Sequence, residues 1–174
     1  MATIVISGRF RGLKLFESPD SSIRPTKAIV RKSVFQRLEP WTGLEVCDLF
    51  AGIGSLGIEA LSRGAATVDF VDRDAVAGQL IKRNLAKAAT EDRANVIQLD
   101  VEQFLANCRS SYDVIMADPS YGAYEWADLL NLVAELLKEN GKFVMELPTY
   151  SVVPDDVDTR QYGKTKVCIW QKQK

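Results

Sequence analysis

Two short stretches of this chain bring together residue types that can do chemistry. Asp118-Pro119-Ser120-Tyr121 sets a carboxylate beside a backbone carbonyl and an aromatic ring. Asp48-Leu-Phe50-Ala51-Gly52-Ile-Gly54-Ser-Leu-Gly57 sets a carboxylate ahead of glycines that let a ligand come close to the backbone. Gly52-x-Gly54-x-x-Gly57, with Asp72 placed 20 residues past Gly52, also fits a dinucleotide site whose acid holds a ribose, so a nicotinamide or flavin enzyme is an alternative. Asp48 argues the other way. A pyrophosphate gains nothing from an added negative charge there, whereas the sulfonium and ammonium of S-adenosylmethionine are attracted by it. Asp100 suits an adenine amine, and equally a helix cap at Asp100-Val-Glu-Gln103. Asp118–Tyr121 by itself also suits an ordinary turn. The chain has no histidine, which removes the commonest general base, Ser-His triads and most zinc sites.

These residues need a scaffold, and the hydrophobic pattern supplies one. Val46–Phe50, Thr67–Val71, Asn95–Leu99, Tyr112–Ala117 and Lys142–Leu147 read as strands. Helices are expected over Ser55–Arg63, closed by Gly64, then Ala75–Ala89, 101–107 and 125–138, the last closed by Asn140-Gly141. On the second of these, Val76, Leu80, Ile81, Leu85 and Ala88 are expected to face inward. Strands alternating with helices imply right-handed crossovers and a mostly parallel, doubly wound α/β sheet. Asp158–Tyr162 and Lys166–Gln171 around Gly163 read as an antiparallel hairpin at its edge. Before this region, residues 3–16 read as two short strands around a turn, 18–25 as a loop, and Thr26–Leu38 as a helix stopped by Pro40. The expected organisation is an extension over 1–40 and one compact unit over 41–174.

Composition sets the outer limits. With 174 residues, 47% of them hydrophobic and 26% charged, the chain is expected to form one globular domain, monomeric and cytoplasmic, without membrane or metal. Cys47, Cys108 and Cys168 suggest no disulfide framework and read as small hydrophobes. Residues 1–37 carry eight Lys/Arg against Glu17 and Asp20, a balance of +6, while the remainder carries −7. A basic arm on an acidic body suggests a polyanionic partner met through Arg9, Arg11, Lys14, Arg24, Lys27 and Arg31. A solvated, unevenly charged surface is the plainer alternative.

The whole set of motifs resembles a known family. Asp48-x-Phe-x-Gly-x-Gly-x-x-Gly, an acid after the second strand and Asp-Pro-x-Tyr after the fourth resemble class I methyltransferases that act on base amino groups. Gly8-Arg-Phe-Arg-Gly12-Leu-Lys-Leu, Arg24-Pro-Thr26 and Val30-Arg31…Val34-Phe35…Leu38 resemble the start of the RsmD family. The likeness extends to Glu59-Ala-Leu-Ser-Arg-Gly64 and the final hairpin. That family methylates the N2 amine of guanine 966 in 16S rRNA. The resemblance implies S-adenosylmethionine as cofactor, with Asp48, Phe50, Ala51, Gly52 and Gly54 on its methionine side. It implies Asp72 at the ribose, Arg73 near the adenine face, and Asp100 with Val101 at the adenine edge. The partner it implies is 16S rRNA or the assembling 30S subunit. Two positions depart from the family: Ser120 replaces a second proline, and Ala28–Lys32 differs from the usual Asp-Arg-Val-Arg-Glu.

On this reading Asp118 and the Pro119 carbonyl each accept one N–H of the target amine, turning its lone pair toward the methyl donor. Tyr121 offers the unstacked base an aromatic face. An adenine-N6 methyltransferase on DNA or RNA would use the same four residues. An RNA-binding ribosome-assembly factor without catalysis is the alternative of another class, and Ser120 is the feature that keeps it open.

Overall fold

The computed structural model describes residues 2–18, 27–120 and 122–174. The Thr26 cap and most of the loop expected over 18–25 lie outside the described residues. Seven strands form one sheet: β1 (Glu45–Leu49), β2 (Thr67–Val71), β3 (Ala94–Ile97), β4 (Tyr112–Ala117), β5 (Leu137–Pro148), β6 (Asp158–Tyr162) and β7 (Thr165–Gln171). Their order is β3-β2-β1-β4-β5-β7-β6, with β7 antiparallel to both β5 and β6 and the remaining pairs parallel. The chain reverses direction of travel between β1 and β4, and such a switch point leaves a crevice at the strands' carboxyl ends.

Side chains alternate across the sheet because a strand has a period of two. Val46, Phe70, Val114 and Met116 face a core shared with α1 (Ala28–Arg37), α2 (Ser55–Ser62) and α3 (Ala75–Ala88). Cys47, Leu49, Ile115 and Ala117 face a second core with α4 (Val101–Asn107) and α5 (Trp126–Val133). Helices on both faces are the expected double winding. Trp41 and Trp126 are buried in these cores and Trp170 packs at the edge of the second. Cys47 and Cys168 are buried and Cys108 half-buried, all unpaired.

The N-terminal segment belongs to the first core through Val5, Leu15, Val30, Val34 and Phe35. Glu59, fully buried on α2, fixes it there. Its carboxylate accepts from the backbone N–H of Ile6 (2.7 Å) and Ser7 (3.0 Å), and from Arg63 Nε (2.9 Å). The two expected strands reduce to one bridge, Ile4 with Lys14, because the turn spends its amides on α2. Arg9 N–H donates to Ser62 O and Phe10 N–H to Ser62 Oγ.

Two other expectations are corrected. Val76 is 50% exposed, since the buried stripe runs Ala77, Leu80, Ile81, Asn84, Leu85, Ala88, and Val76 sits on its flank. The helix expected to reach residue 138 ends at Val133, followed by a 3-10 turn over Ala134–Leu136. Asn140-Gly141 lies within β5, where the pairing to β4 jumps from Tyr112–Leu137 to Val114–Lys142. Asn140 takes the left-handed φ of 59° at this irregularity. Lys138, bonded to Asp113 and Glu45, holds the segment against the sheet instead of continuing a helix.

Candidate active site

β1 carries Asp48 into the interior, where it is 1% exposed. Asp48 Oδ2 accepts from Gly57 N–H at 2.9 Å; Oδ1 is buried without a partner among the described residues. Burial pushes this carboxyl well above the usual carboxylate range, the Gly57 bond opposes the shift, and the charges of Asp118 and Asp72 add to it. Gly57 sits at this distance because it lacks a side chain: a Cβ there would lie 2.2 Å from Phe70 Cε1.

After β1 the chain turns sharply, Phe50 and Gly52 both taking positive φ (58° and 56°). The turn brings Phe50 against Tyr124, their ring centroids 5.1 Å apart. Gly52 N–H donates to Asp72 Oδ2 (2.9 Å), and Asp72 Oδ1 accepts from Asp74 N–H (2.9 Å). Asp74 and Asp100 cap α3 and α4 by accepting from Val76 N–H (2.7 Å) and Glu102 N–H (2.9 Å). Tyr124 OH donates to Glu102 Oε1 at 3.2 Å.

These groups surround a cavity of about 540 Å3 at the switch point, a size suited to a cofactor. Of the expected residues, Phe50, Gly52, Asp72, Arg73, Asp100, Val101, Asp118 and Ser120 line it. Asp48 and Ala51 are buried and absent from the lining. Gly54 is the N-terminal residue of α2's turn, and a Cβ on it would point at Ile81, Phe70 and Ile58 in the core. Pro119 is buried, and Tyr121 lies outside the described residues. Asp74, Ala77, Ala123 and Tyr124 complete the lining without having been singled out. Tyr124 carries no signal of its own in the sequence beyond being an aromatic residue three positions past Tyr121.

The lining decides between the candidate ligands. Among the described residues, Asp72, Asp74, Asp100 and Asp118 face the cavity against one cation, Arg73. Two backbone N–H groups that a diphosphate would need, those of Gly52 and Gly57, already donate to Asp72 and Asp48. A dinucleotide would meet repulsion and few donors. A ligand carrying positive charge and ribose hydroxyls meets the carboxylates of this lining.

A seven-stranded, doubly wound sheet with an acid-lined cavity at its switch point is the framework of class I S-adenosylmethionine-dependent methyltransferases. The model of the family described as "Conserved hypothetical protein 95" matches residues 3–171, and the chain belongs to this family, the RsmD family of rRNA methyltransferases. It is 40% identical to "Putative rRNA methyltransferase YlbH" of Bacillus subtilis, over 97% of this chain and 98% of that one. It is 33% identical to "Ribosomal RNA small subunit methyltransferase D" of Escherichia coli, over 84% and 72% of the two chains. Among solved structures, a methyltransferase from Escherichia coli superposes with a TM-score of 0.85 at 27% identity, covering 99% of each chain. A methylase from Haemophilus influenzae gives 0.84 at 26% identity, covering 100% of each.

The basic residues separate into groups. Arg9, Arg11, Lys14 and Lys27 are exposed, and Arg24 lies outside the described residues. Arg31 is 2% exposed, which overturns its reading as a surface contact. The hairpin covers that side of α1, and Arg31 Nη2 donates to Ile4 O at 2.9 Å. Burial lowers its pKa and the charge of Glu59 partly offsets this. Arg83 and Lys87 of α3, outside the basic arm, stand 4.3 and 4.6 Å from the ring centroid of Phe16.

Proposed function

We propose that this protein methylates the exocyclic N2 amine of a guanine in 16S rRNA, of the guanine 966 type, on free RNA or the assembling small subunit. The observation that carries this reading is the position of Asp118, which follows β4 and lines the cofactor cavity. Bound S-adenosylmethionine supplies an electrophilic methyl group. Asp72 holds the ribose hydroxyls with the lone pairs its two backbone bonds leave over. Asp100 and Val101 take the adenine edge, Arg73 its face, and Asp48, Phe50, Ala51, Gly52 and Gly54 form the methionine side. Asp118 and the Pro119 carbonyl accept the two N–H groups of the target amine, which fixes its lone pair in one direction. Asp118 then takes the proton that the methylated amine sheds. Ser120 lines the cavity beside it, and Tyr121 stacks on the base. Residues 1–40 act as the RNA-contacting extension of a monomeric, cytoplasmic enzyme whose transferase unit is 41–174.

The test is transfer of labelled methyl to 16S rRNA, 30S particles and DNA, with the modified nucleoside identified. N2-methylguanosine in the ribosomal RNA is expected; N6-methyladenosine would replace this reading with the adenine one. Asp118→Ala is expected to lower kcat at least a hundredfold while calorimetry still detects cofactor binding. Full activity in that variant would sink the mechanism.

A further inference from the structure

A second crevice, of about 10 Å3 and so with room for little more than one water, lies on the α1 side of Asp118. Val30, Val34, Met116, Val144 and Val167 make it apolar, and its two charged lining residues are Asp118 and Glu146. The sheet register brings these two together. Met116 pairs with Val144 and Ala117 with Met145, so one step further sets Asp118 opposite Glu146, both on the face that carries Met116. Thr165 of β7 hydrogen-bonds to the Glu146 carboxyl, while Oε2 is buried with no partner among the described residues.

We propose that Glu146 reads the target base, its carboxyl pairing with the ring N1–H and C6 carbonyl of the guanine whose N2 amine lies at Asp118. This rests on the guanine-N2 reading and adds the residue that would select guanine. The ring N–H and carbonyl of guanine adjoin the amine, as Glu146 adjoins Asp118. A neutral carboxylic acid matches that edge, its C=O accepting from N1–H and its O–H donating to O6. Burial first, then the charge of Asp118, pushes the Glu146 carboxyl up to about 8, against the Thr165 bond and Lys27. Among the described residues, the charged groups facing it are Asp118 after β4 and Lys27 before α1, and β7 contributes the Thr165 hydroxyl.

The test compares kcat/KM on an rRNA fragment carrying guanine or 2-aminopurine at the methylated position. 2-Aminopurine keeps the 2-amine but lacks N1–H and O6. Taking the ratio of two substrates on one enzyme cancels any loss of folded protein. Wild type is expected to prefer guanine by about 5- to 150-fold, the range of one two-bond contact. Glu146→Gln, which keeps one acceptor and one donor, retains the preference, and Glu146→Leu reduces it to about threefold or less. The wild-type preference falls above about pH 8, where Glu146 ionises, and that of Glu146→Gln does not. Glu146→Leu keeping the wild-type ratio, or Glu146→Gln losing it, overturns the proposal. Failure of the guanine-N2 reading itself shows separately: wild type then yields no N2-methylguanosine, and the assignment of Glu146 falls with it.

Discussion

The Asp48 carboxyl is buried with one oxygen unpartnered among the described residues, which costs the fold stability. A carboxyl whose folded-state pKa is raised makes the protein less stable as pH climbs from the unfolded pKa through the folded one. Asp48→Asn keeps an acceptor for Gly57 N–H and removes that penalty. Thermal melts of the cofactor-free protein between about pH 5 and 8 should therefore show the variant gaining on wild type as pH rises. Its affinity for S-adenosylmethionine should fall about ten- to a hundredfold by calorimetry, the usual scale for losing a charged partner. Unchanged affinity would mean that Asp48 serves the fold alone. The place of Asp72 and Asp100 at the cavity is legible from spacing because strand ends and glycines lie close to them in sequence, whereas Asp48, expected on its methionine side, is buried out of the lining. Tyr124 and Glu146 are not legible from spacing: one acquires meaning from packing on Phe50, the other from the β4–β5 register. Arg31 misled for a related reason. Helical periodicity sets it with Lys27 on a polar face, and only the folded hairpin shows that face to be covered.

Elements of this protein are joined by a few buried polar groups, and Glu59 is one of those that tie the N-terminal segment to α2. Glu59→Ala would leave the N–H groups of Ile6 and Ser7 without their acceptor and Arg63 without one of its carboxylates. Each orphaned buried donor costs roughly 1–3 kcal/mol. Tm should fall by roughly 5–10 °C for a chain of this size, and limited proteolysis should cut the hairpin before the body. A variant whose hairpin resists protease as well as wild type would show that the Ser62 and Asn84 bonds and the packing of Val5 and Leu15 suffice to hold it. The same dependence on distant partners explains which elements sequence alone delimits. β2, β4 and α4 end where expected because apolar runs and caps mark their ends. The α5–β5 junction is not legible in this way, because Asn140-Gly141 has the composition of a helix terminus while Lys138 bonds to Glu45 and Asp113 and the segment lies in the sheet.

Charge is a property of the whole molecule, and here it is divided between two ends. Lys27 acts on Glu146 and so stands near the reaction end. Arg9 and Arg11 occupy a turn pinned to Ser62, at the C-terminal end of α2. The eight residues of α2 separate that turn from the glycine loop by about 12 Å. Arg83 and Lys87 of α3 add positive charge around Phe16, and Lys87 also donates to the backbone carbonyl of the exposed Lys14. Contacts between basic side chains and an RNA backbone release counterions, with a slope of about 0.7 in log affinity against log salt per contact on single strands. Arg9→Glu with Arg11→Glu should weaken binding and reduce that slope by about 1.4, measured by titration from about 50 to 200 mM salt. Arg31→Ala should behave oppositely, lowering Tm through loss of the Ile4 bond and its packing while leaving the slope of the folded protein unchanged. If the double reversal leaves the slope where it was, the hairpin does not touch RNA, and the positive charge that matters lies at Lys27 and on α3. If Arg31→Ala alone reduces the slope, its burial does not persist in the RNA-bound protein, and the hairpin moves away from α1 on binding.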